Sequence, residues 1–154
     1  MKQNASALPA AVVHEVRDHC LCFATQRAAR LLARRFDEVF LPLGINNGQY
    51  SLMVALSSPR AWRIGALADF LAMDRTTLTA ALATLVRRKL IKLTADAHDK
   101  RATRPVLTKA GERIVVRAAP LWRAEHRRLD HAMGGSVAKD LRAGLGLLSG
   151  TSVN

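Results

Sequence analysis

Acidic residues are scarce in this chain: 12 Asp and Glu stand against 24 Lys and Arg in 154 residues, a formal net charge of +12. No pair of carboxylates is spaced for acid–base work, and no Gly-rich phosphate loop, nucleophile elbow or HExxH occurs. No enzymatic activity and no cofactor are therefore expected. There are two cysteines, Cys20 and Cys22. On one helix their side chains point about 200° apart and cannot bridge, so reduced thiols and a cytoplasmic location are expected. His14 and His19, like His126 and His131, are five apart and share no helix face, so no metal site is expected. No apolar run reaches the roughly 18 residues a membrane span needs. The opening MKQNASALP lacks the apolar segment of a secretory signal. There is no internal repeat, and the length suits one domain with a sizeable core.

What the chain has in excess is positive charge, with a pI near 11.2. Such a field attracts polyanions. Nine basic residues lie between Asp74 and Lys109 against three acids, a net of +6. The periodicity of the same segment is informative. Ile64, Leu67, Ala68 and Leu71 recur at helical spacing and predict a helix over 64–72. Met73-Asp74 breaks it, and Asp74 suits the N-cap of a second helix over 75–89. Leu78, Leu82 and Leu85 form that helix's core stripe. Thr76, Ala80, Ala83 and Arg87 fall on its opposite face, with Thr79 and Thr84 beside them. Small hydroxyl and methyl groups there suit close approach to base edges, and Arg87 and Arg88 suit phosphates.

After Lys89 the period changes. Leu90, Ile91, Leu93 and Thr94 fit a short strand, and Pro105, Val106 and Leu107 a returning one. The loop Ala95–Arg104 is too polar for a core and carries His98, Asp99, Lys100 and Arg101 at its tip. A solvated hairpin loop is one account of it. The other is the wing of a winged helix-turn-helix, with an arginine entering a narrow minor groove and Asp99 holding an arginine in place.

The stretches LPLGINNGQYSLMVAL (Leu41–Leu56), IGALADFLAMDRTTLTAALATLVRRKLI (Ile64–Ile91), the loop, and LTKAGERI (Leu107–Ile114) together resemble the MarR family of transcriptional regulators over residues 15–148. The resemblance implies a mainly α fold: a winged helix-turn-helix with a two-stranded wing and long N- and C-terminal dimerisation helices. It implies a homodimer reading a pseudo-palindromic operator in double-stranded DNA. The implied DNA-binding residues are Arg75, Thr76, Thr77, Thr79, Ala80, Ala83, Arg87, Arg88, Lys100, Arg101 and Arg104, with Asp99 supporting the wing. This chain departs from the family pattern in three places. His98 replaces the first wing arginine, Ala80 stands where relatives often have a basic residue, and Lys89 stands where they often have glycine. Either Lys89 adopts a left-handed cap at a cost of roughly 1–2 kcal/mol, or the helix ends differently.

The flanks carry the dimer expectation. A single helical pattern runs over 9–40 and is closed by Pro42-Leu43-Gly44. Asn46 or Asn47 caps a helix over 49–57. A long helix follows Thr108 to about His131, Gly134-Gly135 breaks it, and 137–148 forms a last amphipathic helix. The expected organisation is a dimerisation helix at 1–40, a DNA-binding lobe at 45–109, dimerisation helices at 110–149 and a frayed tail at 150–154. A thiol-sensing branch of the family, responsive to organic peroxides, has a Cys-Phe pair that Cys22-Phe23 matches. The tyrosines that support its thiol correspond here to Gln26, Phe36 and Asn47. Cys22 is thus either a redox sensor or a buried structural cysteine. Phe36, Phe40 and Trp62 either line a crevice for a small aromatic effector or belong to the core. The expected function is a regulator, a repressor released by such a ligand or by thiol oxidation. A non-specific architectural nucleic-acid binder is the alternative.

Overall fold

The computed structural model describes residues 8–96 and 103–150. It divides into two compact units, Met1–Arg35 and Phe36–Asn154. The first holds helix α1 (Ala10–His19) and most of α2 (Leu21–Phe40). The single helix expected over 9–40 is thus two. Cys20 adopts an extended backbone (φ −76°, ψ 107°) and its sulfur accepts the Phe23 amide at 3.4 Å. The thiol does the work of an N-cap, satisfying a donor that the start of α2 leaves without a partner. Val13, Val16, Leu21, Phe23 and Leu31 are exposed in the single chain.

In the second unit, a tight turn at Leu41–Leu43 ends at Gly44, whose φ of +66° suits a residue without a β-carbon. Helix α3 (Asn47–Leu56) then starts at a capping box. The Asn46 side chain accepts the Gln49 amide, and the Gln49 side chain accepts the Asn46 amide. Helix α4 (Ile64–Phe70) ends two residues earlier than expected, because Ala72 turns to φ +50°. Helix α5 (Arg75–Arg87) is followed by Lys89 at φ +57°, the left-handed cap that was one of the two expected endings.

Strands β1 (Ile91–Ala95) and β2 (Thr103–Leu107) pair antiparallel, Ile91 opposite Leu107 and Ala95 opposite Thr103. The expected loop was therefore too long. Ala95, Thr103 and Arg104 lie in strands, and Asp96 is buried rather than solvated. Thr108 caps α6 (Lys109–Met133), accepting the Gly111 amide, and Gly134 separates α6 from α7 (Gly135–Leu148).

The core gathers Phe36, Phe40, Tyr50, Met53, Leu67, Leu78, Leu82, Leu85, Ile91 and Ala118. The stripes expected on α4 and α5 are in it: Leu67, Leu78 and Leu85 are fully buried. At the junction of the α5–β1 segment with α6, the Leu90 carbonyl accepts from the Thr108 amide at 3.0 Å and its hydroxyl at 3.2 Å. The same hydroxyl bonds the Lys89 carbonyl at 2.7 Å. On α7, Val137, Leu141, Leu145 and Leu148 remain exposed in the single chain.

Candidate nucleic-acid interface and effector cavity

Helix α5 presents the face its periodicity implied. Thr76, Thr79, Ala80, Ala83 and Arg87 are exposed, opposite the buried leucines. Asp74 fixes its start. Its carboxylate accepts the Thr77 amide at 2.7 Å and the Thr77 hydroxyl, which hold it below the usual aspartate range. Thr77, one of the implied DNA-binding residues, therefore has its hydroxyl engaged in the cap. Thr79 donates to the Arg75 carbonyl at 2.7 Å and Thr84 to the Ala80 carbonyl at 3.2 Å. The Thr79 oxygen keeps lone pairs for a base donor.

The arginines divide. Arg87 lies along α5 and donates to the Thr84 hydroxyl at 3.2 Å. Arg88 reaches Gln49 at 3.0 Å, tying the end of α5 to the cap of α3. Arg75 lies back over α4, its guanidinium 3.2–3.6 Å from where a β-carbon of Gly65 would be. Arg104 is mostly covered, its side chain 20% exposed and its Nε donating to Asp96. Asp96 also accepts from Arg63 at 3.1 Å. Lys100, Arg101, Asp99 and His98 lie outside the described residues. The sequence reading missed Arg63 and Asp96. They are 33 residues apart and belong to no local pattern; an aspartate directly after the last residue of β1 was the available signal.

The second feature is a cavity of about 570 Å³ between α3, the segment before α4, α4 and α6, lined by Tyr50, Trp62, Phe70, Trp122 and Arg123 among others. Trp62 lines it as expected. Its Nε1 donates to the Ala55 carbonyl at 2.9 Å and its ring stacks with Phe70 at 4.7 Å between centroids. Phe36 and Phe40 do not line it. They are core, because α2 turns both towards α3 and α6: Phe40 packs on Tyr50 at 4.5 Å and Phe36 on His126 at 4.9 Å. Trp122 stacks on His126 at 4.1 Å, so an aromatic chain runs from one cavity wall through the core to the other. Burial pushes the Tyr50 phenol above its ordinary value, and the charge of Arg123 opposes that.

Cys22 is exposed and unpaired with Cys20, so the structural-core account of it does not hold in the single chain. Its sulfur accepts from the Gln26 amide at 3.0 Å, and the Gln26 oxygen accepts from Arg30 at 3.0 Å. Among the described residues no His, Cys, Asp and Glu cluster suited to a metal is found, and no helix is long and apolar enough to cross a membrane.

The model of the MarR family matches residues 45–103. No curated protein matches significantly. Among solved structures, the Mycobacterium tuberculosis transcriptional regulator MosR in complex with DNA is 33% identical. The match covers 85% of this chain and 96% of that one, with a TM-score of 0.73. The transcriptional repressor CouR on a 23-mer DNA duplex shares the fold at 24% identity, covering 94% and 99%, with a TM-score of 0.78. CouR from Rhodococcus jostii RHA1 bound to p-coumaroyl-CoA does so at 19%, covering 88% and 96%, with a TM-score of 0.73. With its capped, threonine-faced α5, two-stranded hairpin and these relatives, the chain belongs to the MarR family of winged-helix transcriptional regulators.

Proposed function

We propose that the protein is a homodimeric, sequence-specific repressor acting in the cytoplasm on a pseudo-palindromic operator. The observation that carries this is the exposed α5 face, small at its start and cationic at its end, in a chain one-third identical to a regulator solved on DNA. Two such helices enter successive major grooves. Thr76, Thr79, Ala80 and Ala83 meet base edges, while Arg75, Arg87 and Arg88 meet the backbone. Lys100 and Arg101 reach the flanking minor groove, with Asp99 as wing support. The exposed apolar residues of α1, α2 and α7 give the dimer its buried surface. Residues 1–40 and 110–149 thus serve pairing, 45–109 serves DNA, and 150–154 is a tail. Arg101→Ala is the first test of the wing: operator affinity falls by more than about 1 kcal/mol if the arginine contacts the groove. Unchanged affinity contradicts that placement.

The signal that releases DNA is a small aromatic anion in the Trp62–Trp122 cavity, where Arg123 supplies the counter-charge. The aromatic acyl group on the CouR ligand supports that class. A second reading, oxidation of Cys22 by an organic peroxide, is favoured by the Arg30–Gln26–Cys22 relay. The thiolate would take the terminal oxygen of the peroxide and release the alcohol, leaving a sulfenate. Binding of a panel of aromatic carboxylates, followed by Trp122 fluorescence in protein carrying Trp62→Phe, separates the two. Saturable quenching with loss of operator affinity supports the ligand. Release by peroxide that Cys22→Ser abolishes supports the thiol.

A further inference from the structure

Among the described residues of the DNA-binding lobe, Asp96 is the one buried acid, with its side chain 0% exposed. An uncompensated carboxylate there would cost several kcal/mol and would also repel DNA. Among the described residues it is compensated from two elements. Arg63, immediately before α4, donates through Nε at 3.1 Å and through Nη2 at 3.5 Å, and Arg104 of β2 donates through Nε. The two arginines are not equivalent: Arg104 is 20% exposed and Arg63 52%. Arg63 adjoins the first turn of α4, the helix that crosses the DNA backbone in this type of docking. The Arg75 guanidinium, from the start of α5, lies over Gly65 in that same turn. A side chain at Gly65 would meet Arg75 Nη2 at 3.2 Å, so the glycine keeps the approach open. Arg75, Arg63 and Arg104 thus form a cationic ridge from the start of the recognition helix to the base of the hairpin.

We infer that Arg63 is a phosphate-binding residue on the DNA strand between the recognition helix and the wing, and that Asp96 is the positioning residue that aims it. A side-on pair through Nε and Nη2 fixes the plane of the guanidinium, which a lysine could not reproduce. The inference rests on the DNA-binding reading but not on its sequence specificity, because a phosphate contact carries no base information.

The test is binding to an operator and to random-sequence duplex across a salt series. Arg63→Ala and Arg63→Gln should each lower the slope of log affinity against log salt by about 0.9 per reading head, near 2 for a dimer, on both duplexes. Arg63→Lys should restore most of the slope. Asp96→Asn separates positioning from plain charge. Counting charges predicts tighter binding when an acid is removed, whereas a positioning role predicts weaker binding and a smaller slope. Melting curves report whether each variant is folded, and the half-exposed Arg63 variants decide the matter if Asp96→Asn is not. An unchanged slope in both Arg63→Ala and Arg63→Gln overturns the phosphate contact. Tighter or unaltered binding by folded Asp96→Asn overturns the positioning role. If the parent protein binds neither duplex, the DNA-binding reading itself fails.

Discussion

Replacing Gly111 by alanine tests how the recognition helix is joined to α6. A β-carbon at Gly111 would sit 2.1 Å from the Leu90 carbonyl oxygen and 3.1 Å from Leu107 Cδ2. Real β-carbons essentially never approach closer than 3.0 Å, so backbone must separate from backbone by about 0.9 Å. That movement stretches the Thr108 bonds to Leu90 and Lys89, at 2.7–3.2 Å in the native arrangement. Each such bond contributes about 1 kcal/mol net, and overpacking adds about 1–3 kcal/mol. Helix propensity acts oppositely, favouring alanine by about 1 kcal/mol. With these three bonds broken the balance is a loss of roughly 3–5 kcal/mol, or a fall in Tm of roughly 6–20 °C for a chain of this size. The assay is thermal melting at one fixed protein concentration, since dimer formation makes Tm concentration-dependent. If the alanine variant melts at the parent temperature or above it, propensity outweighs the clash and the described junction is wrong.

Three further outcomes follow from the same geometry. Lys89→Gly relieves a left-handed residue at φ +57° and should raise stability by about 0.5–1 kcal/mol in urea denaturation; a loss would mean that the lysine side chain makes a contact worth more than the strain. Trp62→Phe removes the Nε1 bonds to Ala55 and Ser58 and should cost about 1 kcal/mol, measured by denaturant midpoint at constant m-value. Asp74 gives a pH dependence of defined sign. Its folded-state pKa is lowered below the ordinary 3.8, so the cap's contribution is full above that value and is lost as pH falls through the folded pKa. Helicity by circular dichroism should show an acid limb below about pH 4 that Asp74→Ala removes; an identical limb in the variant would assign it to other carboxylates.

The α5 unit was legible from sequence because its leucines repeat at the helical period and a good N-cap precedes it. The left-handed Lys89 was legible because glycine is usual at that place. Tertiary accidents were not legible. Nothing local marks the break at Cys20, where a thiol caps α2 in place of the usual hydroxyl or carboxylate. The Arg63–Asp96 pair depends on a fold that brings residues 33 apart into contact. Phe36 and Phe40 had the composition of a ligand crevice, but the direction in which α2 buries them was decided by packing on Tyr50 and His126. Tyr50, Phe70 and Trp122, which line the cavity with Trp62, come from three separate helices. No periodicity within one helix predicts their convergence.

The most direct measurement of the central claim is selection of bound sequences from random duplex DNA at near-physiological salt. The selection is run on reduced protein and on protein treated with an organic peroxide. A pseudo-palindrome with half-sites about one helical turn apart is predicted for the reduced protein. Its loss on oxidation, prevented by Cys22→Ser, would assign the signal to the thiol; its persistence would assign it to the aromatic cavity. Enrichment of no sequence in either state, with binding that depends on salt alone, would contradict the sequence-specific regulator and favour an architectural binder.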